Sequence, residues 1–143
     1  MKLFIPSETH PDETRVAVSA DVIKKLVAMG IDVSVQKGAG EKSRVPDGVF
    51  ASAGAQIVPA TGGKDADIVL RVRRPEPKVA KTYKKGAVVL ATMDPYGAEE
   101  DVAAMAKAGL SAFSMEFMPR ITRAQVMDVL SSQANLAGYQ AVV

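Results

Sequence analysis

The 143-residue chain has no cysteine and no tryptophan, and only one histidine. Without cysteine there can be no disulfide, no thiol nucleophile and no thiolate metal site. His10 sits alone in a polar loop between Thr9 and Pro11, with no second histidine to complete an imidazole metal site; the expectation is a solvated loop residue and no metal. No apolar run approaches the roughly eighteen residues that a membrane span needs. Met1–Pro6 is too short for a signal peptide, and charges follow at once, which predicts a soluble, cytoplasmic chain that reaches a membrane only through a partner. A formal charge of +2 is too small to indicate nucleic acid as the partner. Apolar residues make up 48% and charged residues 24%, a globular composition at a length that suits one domain.

The patterning alternates short apolar runs with helical ones. Strands are expected at 2–5, 31–35, 56–58, 67–72, 87–91 and 110–114. Ser19 reads as an N-cap, with Val22, Ile23, Leu26 and Val27 on one helical face and Gly30 as the stop. Further helices are expected at 46–53, at 79–83 and at 98–107, the last stopped by Gly109. From about Arg123 the pattern turns helical again, with Val126, Leu130, Ala134, Ala137 and Ala141 as one stripe. Alternation with short connections predicts an α/β fold: a parallel sheet with right-handed crossovers, flavodoxin-like or Rossmann-like, followed by a C-terminal linking helix. The predicted boundary lies near Pro119, dividing an α/β domain, 1–120, from a segment, 121–143, that runs toward a second domain.

Two glycine clusters invite a phosphate-binding reading and fail it. Gly38-Ala39-Gly40-Glu41-Lys42-Ser43 follows a strand, but Ser43 replaces the third glycine of a dinucleotide fingerprint, and Pro46 stands where helix should already run. Gly62-Gly63-Lys64 lacks the earlier glycine and the Ser/Thr of a P-loop. Both are expected to be turns. Residues 71–85 carry seven basic side chains against one acid, Glu76, and read as a solvated loop or helix face.

The densest polar chemistry lies in 115–139. Pro119 stiffens the entry, and Arg120 and Arg123 offer guanidinium forks suited to phosphate or carboxylate. Gln125 and Asp128 are three apart, so a helix would set them on one face, with Ser131 and Ser132 nearby. Gln can donate to and accept from a carboxamide, and Asp accepts from hydroxyls or amides. Such a set suits a polar, planar, multi-hydroxyl ligand; equally, Asp128 could simply cap a helix.

This segment, Pro119 to Tyr139, closely resembles a stretch in the NAD(H)-binding subunit of proton-translocating nicotinamide nucleotide transhydrogenases. The resemblance implies a loop whose Arg120, Gln125 and Asp128 face the nicotinamide end of NAD(H), with Ser131 also matching and Ile121, Thr122 and Arg123 in the same binding stretch. Ile5-Pro6, Glu13-Thr14-Arg15-Val16-Ala17, Ser19-Ala20-Asp21-Val22, Gln36-Lys37-Gly38-Ala39-Gly40 and Ala53-Gly54-Ala55 resemble the opening shared by transhydrogenases and alanine dehydrogenase. In alanine dehydrogenases the substrate site resembles an Arg, a Lys and a His. Arg15 matches the first, Arg73 stands at the Lys position, and Thr92 stands where the His would fall. Oxidising an amine needs a group that takes a proton as hydride leaves, which Thr92 cannot do near neutral pH. Transfer between two nicotinamides needs only proximity and alignment.

The resemblance therefore implies part of a Re/Si-specific NAD(P) transhydrogenase, with hydride transfer between NAD(H) and NADP(H) coupled to proton translocation. Arg15 and Arg73 become relics of a substrate pocket or salt-bridge formers. A glycine-rich Rossmann half that would grip most of NAD(H) is expected beyond this sequence, so the chain alone is expected to bind NAD(H) weakly and to be inactive. A homodimer, NADP(H)-binding and membrane-spanning partner subunits, and a location peripheral to the inner membrane are implied with it. The alternatives are an alanine-dehydrogenase-like oxidoreductase and a non-catalytic subunit-docking domain.

Overall fold

A computed structural model describes all residues, 1–143. Six strands, β1 (Lys2–Ile5), β2 (Asp32–Gln36), β3 (Gln56–Val58), β4 (Ile68–Arg73), β5 (Val88–Thr92) and β6 (Ser111–Ser114), alternate with helices α1 (Ala20–Ala28), α2 (Asp47–Ser52), α3 (Pro77–Ala80) and α4 (Glu99–Lys107), and α5 (Val129–Val142) closes the chain. Every strand pair is parallel, in the order β3-β2-β1-β4-β5-β6. That order is the doubly wound Rossmann arrangement rather than the flavodoxin one, with its topological switch between β1 and β4.

The two-residue period of a strand divides β1 between two cores. Leu3 and Ile5 point to one face with Ile23, Val33, Val35 and Phe50, whereas Phe4 points to the other with Val69, Val89 and Met105. Gly63 belongs to the second packing. A Cβ there would lie 2.3 Å from the Phe4 ring, so only glycine lets the single 3-10 turn Ala60–Gly63 rest on it.

Ser19 caps α1 by accepting from the Val22 amide, and Gly30 ends it with φ +79°. Of the predicted apolar face, however, only Ile23 is buried, and Val22 and Val27 stay exposed. α3 starts earlier than predicted, because Pro77 supplies the fixed φ that suits a first helical residue.

The larger correction concerns the C-terminal segment. Thr122–Met127 is a 3-10 stretch and Asp128 is extended, with ψ 100°, so α5 begins only at Val129. Gln125 and Asp128 therefore do not share a helical face. The predicted stripe meets no core either: Val126 is 91% exposed and no residue of α5 is buried. Apolar residues are spread around this helix instead of being gathered on one side. Ala124 is the one buried residue of the stretch.

Candidate functional site

Ligands of doubly wound sheets bind outside the C-terminal strand ends, at the switch point. A crevice of about 500 Å³ lies there, lined among others by Glu8, His10, Arg15, Arg73, Arg74, Thr92, Asp94 and Glu116. Its floor is built by a bulge in β4. Leu70 pairs with Leu90 and Arg73 with Thr92, so the register slips between them. A bulge frees backbone amides from the ladder, and here the loop after β1 answers them. The Glu8 carboxylate accepts from the Val72 amide at 2.7 Å and the Arg73 amide at 3.4 Å.

The same carboxylate pairs with the Arg71 guanidinium at 3.3 Å, both side chains being at most 2% exposed. Arg71 also donates to the Tyr83 hydroxyl, whose ionisation burial pushes up. The basic stretch is solvated only in part: Lys78, Lys81 and Lys85 are exposed and unpaired, as expected of a solvated face, but the others find acids. Arg71 is buried, Arg73 and Arg74 pair with Glu13 and Asp101, and Lys84 pairs with Asp67.

Arg15 and Arg73 meet at the crevice over one shared acid. Arg15 grips the Glu13 carboxylate with Nε and Nη2, both at 2.7 Å, and Arg73 Nε adds a third contact at 3.0 Å. Glu13 also accepts from the Arg15 amide. These bonds, those from Arg15 foremost and those from Arg73 next, outweigh the opposing effect of burial and hold the Glu13 carboxyl at about 2. In return Glu13 raises the Arg15 guanidinium. Two guanidinium charges on one carboxylate leave a net positive charge, and the Nη nitrogens of Arg73 donate to no group of the chain. The same crevice is also lined by the carboxylates of Glu8, Glu76, Asp94, Asp101 and Glu116, so these donors stand among acids.

The far lip is a strained turn. Asp94 has φ +42°. Its amide and that of Met93 donate to the Glu116 carboxylate, while the Met93 and Asp94 carbonyls accept from Arg74. Burial would raise the Glu116 carboxyl, but backbone amides, among them those of Met93 and Asp94, pull it below its ordinary range. Thr92 lines the crevice and brings no proton acceptor of useful basicity. His10 is exposed at the mouth, its Nδ1 accepting from the Asp12 amide at 3.3 Å.

The second cluster is the C-terminal segment. Arg120, Ile121, Thr122, Arg123 and Gln125 are all exposed. Asp128 caps α5: one carboxylate oxygen accepts from the Leu130 and Ser131 amides, and the other takes the Ser131 hydroxyl at 2.7 Å. That hydroxyl bond is the chief cause of the lowered Asp128 carboxyl, and Arg120 adds a small attraction. Asp128 and Ser131 are brought together; the Asp128 amide donates to the Gln125 carbonyl at 3.2 Å, but the Gln125 and Arg120 side chains are bonded to neither. One link joins the two clusters: Arg15 Nη1 donates to the Gln133 carboxamide oxygen at 3.0 Å.

Glu8, Glu116 and Gln133 escape the sequence reading. The usable signal was an acid following a strand end, as at Glu8 and Glu116, where a parallel sheet concentrates its chemistry. Neither glycine cluster is a phosphate cradle. The Gly38 amide is taken by the Asp47 carboxylate at 2.9 Å, and a Cβ on Gly40 would lie 2.4 Å from the Val45 carbonyl.

Strand order and switch-point crevice define a Rossmann-type α/β domain with a charged site between β1 and β4. Residues 4–137 match the family described as "Alanine dehydrogenase/PNT, N-terminal domain", and the chain belongs to that family. A solved transhydrogenase from Sinorhizobium meliloti is 57% identical, superposes with a TM-score of 0.97, and has 99% of this chain covering 43% of its own. The first portion of NAD(P) transhydrogenase subunit alpha from Rhodospirillum rubrum is 43% identical over the whole of this chain, which spans 39% of that protein. A solved L-alanine dehydrogenase is a more distant relative, 27% identical over 81% of this chain and 32% of its own, with a TM-score of 0.77. The chain therefore spans about two fifths of these transhydrogenase relatives. No helix is long and apolar enough to cross a membrane.

Proposed function

We propose that this chain forms the nicotinamide-side wall of the NAD(H) site in a proton-translocating NAD(P) transhydrogenase. The observation that carries the reading is the exposed segment from Arg120 to Ser131, whose irregular backbone leaves the Arg120 guanidinium and the Gln125 carboxamide open to solvent ahead of the capping Asp128–Ser131 pair. Functionally the chain divides into an α/β domain, 1–120, and this segment with its linking helix, 121–143.

The donor set fits one end of the nucleotide only. Gln125 can exchange hydrogen bonds with a nicotinamide carboxamide, Arg120 and Arg123 can meet its phosphate or carboxamide oxygens, and Asp128 with Ser131 can accept from or donate to ribose hydroxyls. Ile121 and Thr122 complete the wall. The Gly38 amide is already taken by Asp47 and Gly63 is packed on the Phe4 ring, so neither glycine turn is built for a pyrophosphate; affinity of this chain alone for NAD(H) is weak and the isolated chain is inactive. Bound NAD(H) supplies the hydride; the residues here orient its ring toward a second nicotinamide. Thr92 is consistent with this chemistry, because ring-to-ring transfer needs no protein base.

The partners are NADP(H)-binding and membrane-spanning subunits, with homodimerisation and a cytoplasmic position peripheral to the inner membrane. Re/Si specificity and proton coupling belong to that assembly.

Gln125→Asn in the assembled transhydrogenase carrying this domain tests the reading. Hydride transfer from NADH to an NADP+ analogue should fall at least about tenfold by the geometric argument that ring alignment dominates the barrier. An unchanged rate removes the assignment.

A further inference from the structure

Resting on the reading just proposed, we infer that Gln133 is a positioning residue that holds the nicotinamide-side wall against the domain through Arg15. Its hydrogen bond to Arg15 Nη1 spans 118 positions in sequence. It is the only hydrogen bond that joins residues 120–143 to residues 1–114. Otherwise the segment is seated by buried Ala124 and by packing of α5 on the adjacent turn Met115–Phe117. The packing on Met115–Phe117 is near in sequence, whereas Gln133 ties α5 to a distant loop and so sets its direction.

The arginine end of the tether is itself held. A guanidinium has five N–H groups in a fixed fork. Glu13 takes the Nε and one Nη2 donor of Arg15, which aims Nη1 at α5. Glu13 is held in turn by Arg73, whose backbone leaves the β4 bulge under the Glu8 carboxylate. Sheet, bulge, Arg73, Glu13, Arg15 and Gln133 thus form one chain of contacts from the switch point to the helix. Gln133 lies five residues after Asp128, roughly 7.5 Å along a rigid helix. Fixing Gln133 therefore fixes how Asp128 and Ser131 are presented.

The experiment has two arms. In the 143-residue chain, amide hydrogen exchange is followed for Gln133→Ala and Gln133→Glu. Exchange over 122–142 should rise about fivefold in Gln133→Ala, the loss of one exposed charge-assisted hydrogen bond, with β1, β4 and β5 unchanged. Gln133→Glu can still accept from Arg15, so it should keep wild-type protection at low salt and lose part of it at about 1 M salt, where screening acts within about 3 Å.

In the assembled transhydrogenase, Gln133→Ala should raise KM for NADH several-fold and Gln133→Glu should restore it. Unchanged exchange over 122–142, a uniform rise across the domain, or an unmoved KM overturns the inference. The two readings fail separately. An inert Gln125→Asn removes the nicotinamide assignment and leaves the exchange result standing, whereas unmoved exchange in Gln133→Ala removes the tether and leaves Gln125 in place.

Discussion

Replacing Glu8 by alanine tests whether the crevice floor depends on one carboxylate. Glu8 serves three groups at once: the Val72 amide at 2.7 Å, the Arg73 amide at 3.4 Å and the Arg71 guanidinium at 3.3 Å. Both partners of the ion pair are almost wholly shielded from water, so the usual discount for an exposed pair does not apply. Removing one member of a buried pair typically costs about 3–5 kcal/mol, because the other charge is left without compensation. At roughly 2–4 °C per kcal/mol for a chain near this size, Tm should fall by about 6–20 °C. The Arg71 Nε already lacks a partner, which leaves the guanidinium little to fall back on.

Urea unfolding followed by far-ultraviolet circular dichroism gives the free energy, and a second variant identifies its origin. Glu8→Met combined with Arg71→Met removes the stranded charge and should recover much of the loss. It should remain below wild type, since the Val72 and Arg73 amides still lack their acceptor, at about 1–3 kcal/mol for a buried donor left unmade. A Glu8→Ala protein within about 1 kcal/mol of wild type, or a double variant less stable than Glu8→Ala, would refute the buried-pair account.

Glu13 predicts an acid limb. Its folded carboxyl sits at about 2 against an ordinary 4.5, so its stabilisation is fully present above 4.5 and is lost as pH falls from there toward 2. Because Arg15 and Arg73 are each about half exposed, the effect is on the order of 1–2 kcal/mol rather than the full linkage value; Glu13→Gln should flatten that part of a stability-versus-pH curve, and an unaltered curve counts against the shared-acid geometry. Gly63→Ala should destabilise by about 1–3 kcal/mol by overpacking the Phe4 ring, read as a lower urea midpoint with an unchanged slope, and a neutral result would mean that the turn moves away freely.

Much of the architecture is legible because it depends on local patterning. Six short β-rich runs, spaced by helices with Ser19 and Gly30 as punctuation, suffice for a parallel α/β sheet. Strand order is not legible, since the same alternation serves the flavodoxin and Rossmann orders and only the side on which the chain crosses decides. The Arg120 to Ser131 segment is legible as a polar cluster, and its likeness to transhydrogenases singles it out. Its backbone is not: a three-residue spacing implies a shared face only where helix is present, and Asp128 prefers to stop the 3-10 stretch and cap α5. The basic run is legible only in part, for a related reason. Charge density says nothing of acids that arrive from elsewhere, and Glu8 and Glu13 come from the loop after β1.

What the sequence determined by itself is the set of local choices: which runs alternate, where glycine must stop a helix, that no thiol chemistry is possible, and which family pattern the chain carries. Tertiary structure decided the pairings. Glu8 with Arg71, Glu13 between Arg15 and Arg73, and Arg15 with Gln133 join residues on different elements, and their partners are selected by strand order and by the β4 bulge. Electrostatics falls off over a few ångströms in space, with no regard for separation along the chain, so these contacts exist only once the sheet has formed.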